Sequence, residues 1–77
     1  MTTLPILTIS VSDDVGYEII TYTSMVIPRI GEELNFTCDD GKTVQGTVNE
    51  IIHIVRDTDT GKVCNKILVS VKNIEFL

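Results

Sequence analysis

Residues 43–55, Thr-Val-Gln-Gly-Thr-Val-Asn-Glu-Ile-Ile-His-Ile-Val, decide the fold. Their apolar positions fit two patterns. Val44, Val48, Ile51, Ile52 and Val55 match the spacing of one helical face. Gly46 and the density of β-branched residues oppose a helix, because glycine costs backbone entropy there and Val, Ile and Thr lose side-chain freedom. Turn sequences also bracket the segment at hairpin distance, Asp39-Asp40-Gly41-Lys42 before it and Asp57-Thr58-Asp59-Thr60-Gly61-Lys62 after it. The segment therefore reads as a long strand over 43–56. Its alternation has one break: Val44 and Val48 share one face, while Ile51, His53 and Val55 fall on the other. An extra residue near Asn49-Glu50 restores a single apolar face and bends the strand. A long bent strand is what a small barrel needs to turn its corner.

Outward from this strand the chain keeps the same character. Residues 4–12 alternate Leu7, Ile9 and Val11 with Thr8, Ser10 and Ser12, one apolar face and one of hydroxyls. Asp13 to Gly16 make a hairpin loop. A second strand spans about 17–27, its alternation blurred at Ile19-Ile20 and Val26-Ile27, as in a strand covered on both faces or carrying a bulge. Pro28 stops it, having no N–H for a ladder. A third strand covers 33–38 and a fifth covers 63–72, with Asn73 to Leu77 continuing it or forming a short last strand. The expected fold is all-β: one domain over residues 1–77, a five- to six-stranded antiparallel barrel of SH3-like or OB-like kind, built as a meander.

Size limits what such a domain achieves alone. A chain of 77 residues and 8.5 kDa buries roughly 60% of its unfolded surface. Its folding balance sits near zero without tight packing, a partner or self-association. Cys38 and Cys64 form no CxxC pair, and the opening MTTLPILTISVSDD has neither a basic start nor a long apolar core. No apolar run reaches membrane-spanning length. A cytoplasmic, reducing compartment with two buried thiols is the expectation.

The net charge of −5 is unevenly spread. In residues 1–50, Arg29 and Lys42 stand against Asp13, Asp14, Glu18, Glu32, Glu33, Asp39, Asp40 and Glu50. In residues 51–77, Arg56, Lys62, Lys66 and Lys72 outnumber Asp57, Asp59 and Glu75. The acidic body repels phosphate backbones and attracts basic protein surfaces.

Ile27 to Leu34, IPRIGEEL, followed by GKTVQGTVNEIIHIV and ILVSV, resembles small stand-alone proteins of bacteria and their phages. Those carry an aliphatic-Pro-Arg-aliphatic-Gly-Glu box and then a β-hairpin. The likeness covers about residues 26–71 and implies a small barrel. The chain is also similar in type, without a shared motif, to phage-encoded inhibitors of host defence, including anti-CRISPR proteins. That similarity implies binding to a larger protein.

The residues offer little for catalysis. His53 is the single histidine, and Cys38 could in principle pair with it as thiolate and imidazole, but both read more simply as residues at the edge of the core. Zinc spacing is missing. The Asp57 to Gly61 loop lacks the carboxylate that a calcium loop needs, since Leu68 stands there. The glycines are spaced as turn residues, not as a phosphate loop. No enzyme activity, cofactor, metal or membrane contact is expected. The expected function is protein binding through Asp13, Asp14, Glu18, Asp39 and Asp40, with Arg29, Glu32 and Glu33, on a larger partner such as a host defence complex. An unpaired edge strand adds homodimerisation. The alternative is nucleic-acid binding through Arg56, Lys62, Lys66 and Lys72.

Overall fold

The β-branched runs fold into five strands in the computed structural model, which describes residues 6–77. They are β1 (Leu7–Ser12), β2 (Glu18–Ser24), β3 (Glu33–Thr37), β4 (Thr43–Thr58) and β5 (Gly61–Phe76). The described residues contain no helix. One sheet in the order β2-β1-β5-β4-β3 curls into a half-barrel. The expected strand 4–12 begins at Leu7, with residues 4 and 5 outside the described part. β2 stops at Ser24, whose Oγ accepts the Val26 N–H at 3.0 Å and turns the chain. Residues 73–76 continue β5, so no sixth strand forms among the described residues.

The sheet is mixed, which corrects the antiparallel meander. The β1–β2, β3–β4 and β4–β5 pairs are antiparallel, but β1 lies parallel to β5, Thr8 beside Lys66 through Ser12 beside Ser70. Residues 25–32 carry the chain from one edge of the sheet to the other. The reason for the miss is physical. A period-2 stripe such as Leu7, Ile9, Val11 packs equally well in either strand direction, so its own sequence leaves direction to the connections.

The core lies on the inward face. Ile9, Val11, Val48, Ile67, Val69 and Val71 are fully buried, and Tyr22, Leu34, Phe36 and Ile51 pack against them. Register explains the set: Ile9 sits beside Ile67 and Tyr22, and Val11 beside Val69 and Ile20. Burying one such side chain contributes about 1.5–3 kcal/mol.

Four single-residue insertions reset the alternation along these strands. Val48 pairs with Val71 but Glu50 with Ser70, so Asn49 is the extra residue that the sequence phase demands. Asn65 is extra between the Ile54–Lys66 and Val55–Cys64 pairs. The ladder shifts again between Gln45 and Thr47, where Asn73 has φ 54°. Asparagine is one of the few residues that tolerate that left-handed region. Ile19 is the extra residue of β2, which accounts for its blurred alternation.

β4 and β5 outrun the sheet. Their pairing continues from Val55–Cys64 to Thr58–Gly61 after β1 has ended at Lys66. The result is a two-stranded arm on a body whose longest extent is 44 Å. At the other side, Gly31 N–H donates to the Val48 carbonyl at 2.9 Å, and Val48 N–H donates to that of Glu32 at 2.8 Å. Both hydrogen bonds tie the β2–β3 connection to β4.

Two outcomes follow from the packing. A Cβ added at Gly46 falls 2.9 Å from Val71 Cβ. Gly46→Ala is expected to destabilise by about 1–3 kcal/mol in urea unfolding, and a double variant with Val71→Ala to lose less than the sum. Tyr22 is half-buried on the inward face, and burial raises its phenol above the ordinary value of 10.0. The folded state then holds the proton more tightly than the unfolded chain. Stability is expected to fall as pH rises above 10, and Tyr22→Phe should remove that part of the loss.

Candidate functional site

Pairing register draws carboxylates from distant parts of the chain to one end of the half-barrel. Glu18 of β2 is beside Ser12, Ser12 beside Ser70, and Ser70 beside Glu50 of β4. Directly opposed residues share a sheet face. This row therefore crosses four strands on the outward face with a glutamate at each end. The β1–β2 loop closes over it. Ser70 Oγ donates to the Asp13 carbonyl at 3.3 Å, and Asp13, Asp14 and Glu50 line a single hollow with Ile52 and Leu68.

Asp13 and Asp14 differ in role. Asp13 Oδ1 accepts the Val15 N–H at 3.0 Å and the Tyr17 N–H at 2.8 Å, while Asp13 N–H donates to the Tyr17 carbonyl at 2.9 Å. That carboxylate organises the loop. Asp14 is exposed and makes none of these bonds.

The half-barrel opens between β2 and the β3–β4 turn. A cleft of about 480 Å³ lies there, lined by Glu18, Ile19, Ile20, Thr21, Cys38 and Asp39. The Thr21 hydroxyl donates to a Glu18 carboxylate oxygen. In the turn, Cys38 N–H donates to the Lys42 carbonyl at 2.8 Å and Gly41 N–H to that of Cys38 at 2.9 Å. Asp40 Oδ1 accepts the Lys42 N–H at 3.0 Å, and its carboxylate lies 4.0 Å from Lys42 Nζ. Asp39 faces the cleft beside Glu18, and Glu18 continues into the row that ends at Glu50.

The other expected binding residues lie elsewhere. Glu32 Oε1 accepts the Arg29 backbone N–H at 2.6 Å, and Glu32 N–H donates to the Arg29 carbonyl at 3.1 Å. This pair shapes the β2–β3 connection. Glu33 is opposite Thr47, which is opposite Lys72. Arg29, Glu32 and Glu33 line neither the cleft nor the hollow, although Glu32 is bonded to Val48, two residues from Glu50.

The basic residues also divide. Arg56 and Lys66 line one shallow hollow with Thr8, Ile54 and Asn65. Lys62 Nζ bonds Asp57 Oδ1 at 2.7 Å, an exposed pair that contributes little to stability. Lys72 lies further along β5, beyond the β1 ladder. Tyr22 and Phe36 belong to the core periphery, and neither lines the Arg56–Lys66 hollow.

Thiol chemistry is rearranged relative to the sequence reading. The residue near His53 is Cys64, with Sγ 4.0 Å from Nδ1, and not Cys38. Cys38 sits in the turn that starts β4, most of a strand length away. Both thiols are free and half-buried, where full burial was expected. Each lies on the margin of a sheet that covers only one of its faces. No group of three His, Cys, Asp or Glu able to hold a metal occurs among the described residues. No described helix is long and apolar enough to cross a membrane.

Glu50 is the acidic residue that sequence reasoning left out of the site. Its pattern signal was spent on the bulge beside it, and its neighbours follow only from strand order. The comparisons with known proteins add no further member: no protein-family model, curated protein or solved structure matches the chain. Asp13→Ala is expected to cost about 1 kcal/mol of stability in thermal melts, by analogy with a lost capping oxygen, and Asp14→Ala close to nothing.

Proposed function

We propose that the protein is a non-enzymatic interaction module whose acidic end docks on a basic surface of a larger protein. The observation that carries this reading is the continuity of Asp39, Glu18, Asp14 and Glu50 around the opening and the adjoining hollow. Carboxylates gathered on one rim produce a local field that steers a basic partner and repels nucleic acid. The row of serines between Glu18 and Glu50 adds hydrogen-bonding capacity at low side-chain entropy cost. Small barrels of the SH3-like and OB-like kinds bind through open rims and loops in a similar way, which is an analogy of mode. A phage-encoded inhibitor, blocking a basic channel of a host defence complex by standing in for a phosphate backbone, is the form of this function that we favour. Such a protein would act in the cytoplasm.

A second reading, nucleic-acid binding by the arm, is supported by Arg56 and Lys66 sharing one hollow. It has less behind it, because Lys62 is tied to Asp57 and Lys72 is remote.

The two are separable by one experiment. The purified protein is mixed with host lysate and passed through gel filtration with light scattering. The first reading predicts comigration with a larger protein that weakens with salt. Reversal of Asp14, Glu18 and Asp39 to Lys is expected to abolish that capture. The second predicts retention on single-stranded oligonucleotide at low salt, lost in Arg56→Ala/Lys66→Ala.

A further inference from the structure

We infer that the protein self-associates through the free edge of β4, pairing residues 50–56 antiparallel with the same residues of a second copy about a twofold axis at His53. The contact shares Glu50 with the acidic end but does not rest on that reading.

The edge is open. β3 covers β4 only from Thr43 to Thr47, and Gly31 and Glu32 occupy Val48. Among the described residues no backbone group beyond Val48 bonds to that side of β4. The direction of the backbone groups follows from the ladder. Val48 directs its N–H and C=O away from β5, to Glu32 and Gly31. Along an antiparallel strand this alternates residue by residue. The extra residue at Asn49 shifts the alternation once, so Glu50 pairs towards β5 with Ser70. Ile51, His53 and Val55 therefore present their N–H and C=O to solvent.

The side chains along this edge match themselves. Centred on His53, the sequence Glu50-Ile51-Ile52-His53-Ile54-Val55-Arg56 reads against its own reverse with Glu50 opposite Arg56, Ile51 opposite Val55, and Ile52 opposite Ile54. Two opposite-charge pairs flank four aliphatic pairs, with His53 opposite His53 at the centre. Opposed residues share a sheet face, so each pair meets on one side of the joined sheet. His53 meets its own copy at an axis where backbone donors and acceptors are exchanged in both directions. Register is set at its ends. Beyond Glu50 the Val48 position is already occupied.

The edge also lacks the usual guards. Soluble proteins protect long edge strands with Lys, Pro or inward charges. Residues 51–55 have none of these, and Ile52 and Val55 are 45% and 56% exposed. The charges at positions 50 and 56 are the pair that a second copy complements, which specifies the copy and the register together. A twofold contact of this kind closes after two subunits, leaving a continuous ten-stranded sheet and no further β4 edge.

Charge exchange tests the contact. Sedimentation velocity on the full chain is expected to give twice 8.5 kDa at concentrations on the order of 100 µM. Glu50→Arg places like charges at both ends of the contact, as does Arg56→Glu, and each is expected to weaken dimerisation about tenfold. An equimolar mixture of the two single variants restores both opposite-charge pairs and is expected to form a heterodimer of wild-type affinity. The double variant Glu50→Arg/Arg56→Glu is expected to dimerise with itself. His53→Pro removes one solvent-facing N–H, leaves the β4–β5 ladder intact, and should give a monomer with an unchanged strand signal in circular dichroism. A monomeric wild type at concentrations on the order of 1 mM overturns the inference. So does a wild-type dimer that both single reversals leave at full strength, or a mixture of the reversals that stays monomeric.

Discussion

The parallel ladder between β1 and β5 is the constraint on which the structure hangs. Residues 7–24 form one hairpin and residues 43–76 another, and neither hairpin alone can cover an apolar face. The ladder seats Ile9 beside Ile67 and Val11 beside Val69, turning two half-faces into one core. Among the described residues that core holds only aliphatic side chains in its fully buried members, with no buried polar group. Its specificity therefore rests on shape and register. The bulges at Asn49 and Asn65 supply register, because each resets which side chains point inward. The acidic end depends on the same ladder, since Ser12 beside Ser70 is the join between the half that carries Glu18 and the half that carries Glu50.

Much of this was legible in local patterns. The β-branched runs and the Asp39-Asp40-Gly41 and Thr60-Gly61 turns announced themselves through short-range chemistry, whereas β2 ends at Ser24, short of the stop that Pro28 suggested. The bulge at Asn49 was readable too, because a phase break in a period-2 pattern has few structural solutions. Strand order was not readable. Leu7, Ile9 and Val11 state that β1 has an apolar face but not which neighbour will cover it or in which direction. The candidate site inherited that blindness. Asp13, Asp14 and Glu18 are close in sequence and stayed together, whereas Arg29, Glu32 and Glu33 separated from them because the β2–β3 connection crosses to the far edge. Glu50 was overlooked for the same reason.

Length itself arranges the charge. β4 and β5 are each sixteen residues, and the hairpin they form carries Arg56, Lys62 and Lys66 together with Asp57 and Asp59, beyond the row that ends at Glu50. Lys66 lies about 13 Å along β5 from Ser70 of the acidic row, against a screening length of about 8 Å in physiological salt. The acidic row and the free β4 edge are therefore only partly screened from each other, and Glu50 belongs to both.

The β1–β5 ladder also orders events in time. Thr8 meets Lys66 across most of the chain, and the loop that this contact closes is the most expensive in conformational entropy. Local hairpins form in microseconds, but the core waits for this closure, which places the domain among slow-folding, non-local topologies. During synthesis β1 and β2 emerge first, with Ile9, Val11 and Ile20 exposed until β5 arrives. The serine and threonine positions of β1 and β2, alternating with the apolar ones, give that hairpin one hydroxyl face from the start, the face that becomes the outside of the finished sheet.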